Sequence, residues 1–217
     1  MNIITIKDLC FQYEAAAKED ALRNVNLQIH QGECLVLTGE SGCGKTTLIR
    51  CLNGLIPGFY EGKVTGEIFL RDTSFETLEQ HEISSHISTV FQDPRSQFFA
   101  VNSTDEVAFG CENLSFSTER INENVEKAFS HLNIGKLKDR SIFQLSSGEK
   151  QRLAVASVYA MSTDVILLDE PTANLDEDAI QDIRKMLSAL KAEGKTIFLT
   201  SHRYKDIDQL CDQVYSI

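Results

Sequence analysis

Gly39-Glu40-Ser41-Gly42-Cys43-Gly44-Lys45-Thr46-Thr47 is the stretch that decides the fold of this chain. It satisfies the phosphate-binding pattern G-x-x-x-x-G-K-[ST] in full. The apolar run Cys34-Leu35-Val36-Leu37 predicts a buried strand entering it, and Thr46 to Leu52 predicts a helix leaving it. Glycines allow the backbone to curl so that successive N–H groups converge at a helix N-terminus and form an anion nest. Lys45 then supplies a cation for β- and γ-phosphates, and the Thr46 hydroxyl is a ligand for Mg²⁺. A glycine-rich turn with a chance lysine would need neither the strand before it nor the helix after it. The stretch therefore predicts nucleoside-triphosphate binding.

Working outward, the 217 residues suit one α/β domain with a sizeable core. Hydrophobic content of 42% and charged content of 24% are those of an ordinary globular protein. A formal net charge of −11 argues against nucleic acid or an anionic lipid surface as the main partner. The six cysteines (10, 34, 43, 51, 111 and 211) form no C-x-x-C pair and read as reduced cytosolic thiols, with Cys43 in the phosphate loop exposed to oxidation chemistry. No signal peptide is evident and no apolar stretch is long enough to cross a bilayer. Service to a membrane process would run from the cytosolic face through a partner.

Strand-like alternation marks the start of the chain: Ile4, Ile6 and Leu9, then Val25, Leu27 and Ile29, with a polar turn from Glu14 to Asp20 between them. Residues 64–70 and 86–91 add further strands, so an antiparallel sheet is expected to flank the nucleotide core. From about 98 to 146 the pattern turns helical, with Ile121, Val125, Ala128, Phe129 and Leu132 on one face. Helical pattern resumes at 148–161 and again from Glu177 to Glu193, where Gly194 supplies the stop. Apolar runs at 165–168 and 196–200 alternate with these helices as a parallel sheet requires.

Val165-Ile166-Leu167-Leu168 ends in the pair Asp169-Glu170. Ligands of open α/β sheets bind at the carboxyl ends of strands, which puts Asp169 in the Mg²⁺ shell. Glu170 follows on the alternate side of the strand and is the candidate to polarise a water toward the γ-phosphate.

Leu145-Ser146-Ser147-Gly148-Glu149-Lys150-Gln151-Arg152 precedes an amphipathic helix. Ser-Gly at a helix start is a common cap, but this run closely resembles the signature motif L-S-G-G-Q of ABC-type ATPases. Leu145, Ser146 and Gly148 match; Ser147 replaces the first glycine and Glu149 the glutamine. The other motifs of that family follow in order. Gln92 matches the Q-loop glutamine that reaches the metal and the attacking water. Ala173-Asn174-Leu175-Asp176 resembles the D-loop. His202 in Ser201-His202-Arg203 matches the switch histidine, and Tyr13 aligns with the aromatic that stacks on adenine, its alternative being a core or surface tyrosine. The resemblance spans essentially the whole chain. It implies a P-loop NTPase (RecA-like) α/β core over 1–97 and 147–217, with an antiparallel β subdomain and an inserted helical subdomain at about 98–146. It also implies ATP and Mg²⁺ as ligands, and a head-to-tail dimer in which Ser146, Ser147, Gly148, Glu149 and Asp176 serve the partner's nucleotide.

Phe91-Gln92-Asp93-Pro94-Arg95-Ser96-Gln97-Phe98-Phe99, Glu106 to Asn113 and Leu52 to Gly62 resemble the ATPase subunits of energy-coupling factor (ECF) transporters of the cobalt-transport CbiO type, particularly the first half of members with two ATPase domains. That likeness implies uptake of a vitamin, a vitamin precursor or a metal ion, with integral-membrane coupling and substrate-binding subunits and a second ATPase domain as partners. Phe98 and Phe99 are then either core filling or part of a groove for the coupling helices. The chain stops in an expected final strand at Cys211 to Ile217, which leads to the expectation of a truncated chain or one half of a longer one. The rival expectation, an ABC ATPase acting on DNA or ribosomes, would call for a long coiled-coil insertion or a charged linker between paired domains; no such segment is evident.

Overall fold

The computed structural model describes residues 1–14, 20–202 and 208–217. Most of the expected turn from Glu14 to Asp20, and Arg203 beside His202, lie outside the described residues. Strands β1 (Asn2–Tyr13), β2 (Leu22–His30), β3 (Cys34–Thr38), β4 (Gly62–Leu70), β5 (Thr73–Ser74), β6 (Ile87–Val90), β7 (Val165–Leu168), β8 (Thr196–Thr200) and β9 (Gln213–Ser216) form two sheets. Helices are α1 (Lys45–Leu52), α2 (Leu55–Gly58), α3 (Gln80–His86), α4 (Ser103–Asn113), α5 (Thr118–His131), α6 (Ser147–Ala160) and α7 (Glu177–Ala192).

The first sheet has strand order β2-β1-β4-β5, with antiparallel pairing throughout. The second runs β6-β7-β8-β3-β9 and its pairs are parallel. Side-chain alternation divides the parallel strands between two cores. Leu35, Leu37, Val165, Leu167 and Phe198 face the antiparallel sheet and α1, meeting Ile4, Leu9, Phe11, Val25, Leu48 and Leu52. Val36, Ile166, Leu168, Ile197 and Leu199 face the other way, onto Leu153, Val155, Ile183 and Leu187 of α6 and α7 and Phe129 of α5. A strand buried on both faces must be apolar at every position, which is why β7 reads Val-Ile-Leu-Leu without a polar break.

The helical starts follow local chemistry. Asn102, Ser117 and Asp176 each cap a helix by accepting a backbone N–H three residues on. On α7, Glu177 and Asp178 in the first turn complement the dipole, and Gly194 at φ 79° lies just past its end. The α/β class with its antiparallel sheet and helical layer is the fold class expected from the sequence.

What positions the site is strand order. The carboxyl ends of β3, β6, β7 and β8 lie at one edge of the parallel sheet, with Val90 beside Leu168, Leu168 beside Leu199 and Leu37 beside Thr200. The segments leaving those ends carry the phosphate loop, Gln92, Asp169-Glu170 and His202.

Candidate functional site

The phosphate loop is wound so tightly that two of its glycines have no substitute. Gly44 sits at φ 107°, and a Cβ there would lie 2.3 Å from the Ala21 carbonyl oxygen. Gly39 sits at φ 157°, and a Cβ there would meet Cys43 Sγ at 2.6 Å and the Ile217 carbonyl oxygen at 2.8 Å. Lys45, 5% exposed, is curled into the loop, its Nζ donating to the Gly39 and Glu40 carbonyls at 2.9 and 2.8 Å. The ammonium is thus held against the start of the loop, in the cleft that Ser41, Gly42 and Gly44 also line.

Asp169 is 2% exposed, and its carboxylate is bracketed by two hydroxyls. Thr46 Oγ1 donates to one oxygen at 2.8 Å and Thr200 Oγ1 to the other at 2.7 Å. Thr200 in turn accepts the Glu170 N–H at 2.9 Å. Strand alternation accounts for Asp169: it continues the Val165–Leu167 face toward α1, where Thr46 waits. It does not account for Glu170, contrary to the expectation. The strand ends at Leu168, and Glu170 takes φ 48°, so a left-handed turn aims its side chain. That carboxylate receives Gln92 Nε2 at 3.3 Å and His202 Nε2 at 2.5 Å. His202 Nδ1 lies 3.2 Å from the Gly39 carbonyl oxygen and 3.4 Å from Lys45 Nζ. Gln92, Asp169, Glu170 and His202 thus join the phosphate loop in one connected network. Thr200, fully buried and central to it, was not foreseen; its only signal is a threonine ending an apolar strand two residues before His202.

Tyr13 borders the same cleft as Ser41, Lys45, Thr46 and Glu170. Its phenol oxygen lies 3.2 Å from Thr47 Oγ1 and accepts from Arg50. Thr46 and Asp169 are joined by a hydrogen bond and Gln92 lines the same cleft as Thr46, a set of oxygen ligands suited to a hard cation completed by phosphates and water. No three His, Cys, Asp or Glu side chains converge as a self-sufficient metal cage among the described residues.

The signature residues are not part of this cleft. Ser146 caps α6, accepting the Glu149 N–H, while the Glu149 carboxylate accepts the Ser146 N–H at 2.8 Å, a reciprocal capping box. That backbone bond, joined by the Arg140 guanidinium at 2.9 Å, holds the Glu149 carboxyl below the usual glutamate range. Gly148 lets α6 approach α7, since a Cβ there would lie 2.8 Å from Ala179 Cβ. Ser147 lines a second cleft with Lys150, Asn174, Leu175 and Arg95, and Gln92 borders both clefts. Asp176 is occupied as the cap of α7.

A third concavity, of about 250 Å³, lies between the ends of α1 and α4, lined by Asn53, Gln80, Phe91, Phe99 and Phe109 among others. Phe98 packs half-buried on the helical core, whereas Phe99 is 74% exposed and stacks on Phe109 at 4.8 Å. Glu106, buried, accepts the Phe99 and Ala100 N–H groups at 2.9 Å each and so fixes that rim. The sequence left the two phenylalanines undivided; their neighbours separate core from groove.

Comparison with known proteins identifies the family. The family described as ABC transporter matches residues 22–173. A Treponema denticola protein described as an ABC transporter ATP-binding protein is 41% identical over 212 residues, covering 98% of this chain and 43% of the relative. Bacillus subtilis YkoD, described as an HMP/thiamine import ATP-binding protein, is 36% identical over 204 residues, 93% of this chain and 37% of its own length. The solved structure of cbiO1 from Clostridium perfringens, described as part of the ABC transporter complex cbiONQ, superposes with a TM-score of 0.87 at 31% identity, covering 99% of this chain and 84% of that one. The chain spans less than half the length of the curated relatives it matches. On its motifs, its fold and these matches, the chain belongs to the ABC transporter family of ATP-binding proteins.

Proposed function

We propose that this chain is the ATP-hydrolysing unit of an ECF-type importer, a single ABC ATPase domain whose helical subdomain spans about 98–146. The observation that carries the reading is the hydroxyl-bridged pair Asp169-Glu170, tied to the phosphate loop through Thr46 and flanked by Gln92 and His202. In this proposal the loop N–H groups from Gly39 to Thr47 and the Lys45 ammonium bind the triphosphate, and Tyr13 stacks on the base. Thr46, Asp169 and Gln92 would hold Mg²⁺, which when bound neutralises charge on the β- and γ-phosphates. The fit rests on Asp169: a buried carboxylate met by neutral hydroxyls, with no ion pair to it among the described residues. Glu170 orients the attacking water and takes up its proton, while Gln92 and His202 hold that carboxylate toward the cleft. Water oxygen bonds to the γ-phosphorus as the bond to the β-phosphate oxygen breaks, releasing ADP and phosphate.

The Ser146–Glu149 helix start stands apart from this chain's own phosphate loop, which supports a composite site closed by a second ATPase domain. There the positive end of α6 would face the partner's γ-phosphate. The Phe99–Phe109 groove supports docking of an integral-membrane coupling subunit, with a separate membrane subunit binding the vitamin, precursor or metal ion. Such an assembly would sit at the cytosolic face of the membrane; among the described residues no helix is long and apolar enough to cross it.

Purified chain should hydrolyse ATP, and Glu170→Gln should bind ATP undiminished yet turn over at least about 100-fold more slowly. Turnover like the unmodified chain's in that variant removes Glu170 from the mechanism. ATP should also drive the Glu170→Gln chain to a dimer in analytical ultracentrifugation, and a chain that stays monomeric at saturating ATP argues against the composite site. Recovery of an integral-membrane protein on affinity purification from membranes tests the importer reading.

A further inference from the structure

One cation beside the nucleotide cleft has no part in the proposed hydrolysis. Arg50 lies in the last turn of α1, the helix that begins with Lys45 and Thr46. Its Nη1 donates to Tyr13 Oη at 2.9 Å, and Thr47 Oγ1 lies 3.2 Å from the same oxygen. Residues three apart share a helix face, so one side of α1 grips the phenol twice. The guanidinium is itself held: its carbon lies 4.2 Å from the centre of the Tyr60 ring. The Tyr13 ring also packs edge-to-face with the Phe11 ring, their centres 4.7 Å apart. A guanidinium is suited to this double duty because it is planar, with donors at its edge and a weakly hydrated face that packs on aromatic rings.

We infer that Arg50 is a positioning residue for base recognition. It holds the Tyr13 ring in place before ATP arrives and ties that ring to the helix carrying the phosphate-binding side chains. The inference rests on the nucleotide-binding reading above. Without Arg50 the phenol oxygen keeps only its bond to Thr47, the ring is held less firmly, and more of its ordering falls to the binding event. Arg50 therefore matters for a ligand that carries an aromatic base and is indifferent to a bare phosphate chain.

Isothermal titration of the chain with ATP and with inorganic tripolyphosphate separates these cases. The unmodified chain should bind ATP more tightly than tripolyphosphate. Arg50→Ala should weaken ATP roughly fivefold to tenfold, the equivalent of one hydrogen bond, and leave tripolyphosphate within about twofold. Retained tripolyphosphate binding also reports a folded loop. Arg50→Lys keeps the charge but loses the planar fork, so it should behave like Arg50→Ala rather than like the unmodified chain. Tyr13→Phe keeps the ring and removes the oxygen; Arg50→Ala added to it should cost less than about a further twofold. Equal weakening of both ligands, or an undiminished Arg50→Ala effect in the Tyr13→Phe background, overturns the assignment. A chain that binds tripolyphosphate as tightly as ATP overturns it too and leaves the phosphate-loop reading standing, whereas a chain that binds neither ligand sinks both.

Discussion

Thr200 joins both acidic residues of the site through a single hydroxyl, donating to Asp169 and accepting from the Glu170 N–H. Replacing it with valine keeps the shape and deletes the hydroxyl, leaving a buried carboxylate oxygen and a partly buried N–H without their partner. Such orphaned groups cost about 1–3 kcal/mol, so Thr200→Val should lower stability by that amount in urea unfolding and depress ATP turnover with it. Thr200→Ser, which restores the hydroxyl, should recover most of both; a Val variant as stable as the unmodified chain would mean the bridge is idle. Residue chemistry was the most legible level in the sequence. The glycines, Lys45, Thr46 and the Asp169-Glu170 pair announce themselves because their roles depend on neighbours close in the chain. Thr200, Arg50 and Glu106 do not, since each is defined by a contact distant in sequence or by burial that no local pattern encodes.

At the level of elements, the meeting of α6 and α7 is governed by one missing side chain. A Cβ at Gly148 would stand 2.8 Å from Ala179 Cβ, closer than carbon atoms pack. Gly148→Ala gains at most about 1 kcal/mol of helix propensity, less in a first turn, against an overpacking cost of about 1–3 kcal/mol. Overpacking wins, so the variant should be net destabilised by about 1 kcal/mol. Adding Ala179→Gly removes the clashing atom, and the pair should show a favourable coupling in a double-mutant cycle read by thermal unfolding; strictly additive effects would show that the helices do not meet through this contact. The glycine of the signature-like run is thus a packing residue. Sequence periodicity could find the apolar faces of α5 and α7, with Val125, Phe129, Ile183 and Leu187 buried, because helical spacing is local. It could not say which faces meet.

Across the whole molecule, Asp164 ties the two sheets together. It precedes β7 of the parallel sheet and pairs with Arg71 at the end of β4 of the antiparallel sheet and with His86 at the end of α3. Burial alone would raise its carboxyl; the hydrogen bonds from His86 and Arg71 outweigh that and hold it below the ordinary aspartate value of 3.8. Its folded pKa is thus below its unfolded one, so the stabilisation is present above about pH 3.8 and is lost as the pH falls through the folded value. Asp164→Asn should therefore be less stable at pH 7, and the two unfolding curves should converge in acid below that range. A difference independent of pH would mean the aspartate acts through shape and not charge.

The amino-acid sequence by itself determined the local pieces: the phosphate loop with its required glycines, the apolar runs of β7 and β8, the capped helices and the acidic pair at a strand end. These follow from backbone sterics and from the period of burial, which operate over a few residues. Only the tertiary structure decided the strand order β6-β7-β8-β3-β9. That order brings the carboxyl ends of four strands, spread from Thr38 to Thr200, to one edge, and seats Thr200 between Asp169 and the Glu170 backbone. It also leaves the α6 signature outside the cleft that its own chain builds. Pairing between distant strands is settled by packing of the whole core, a long-range competition that no single stretch of the chain records.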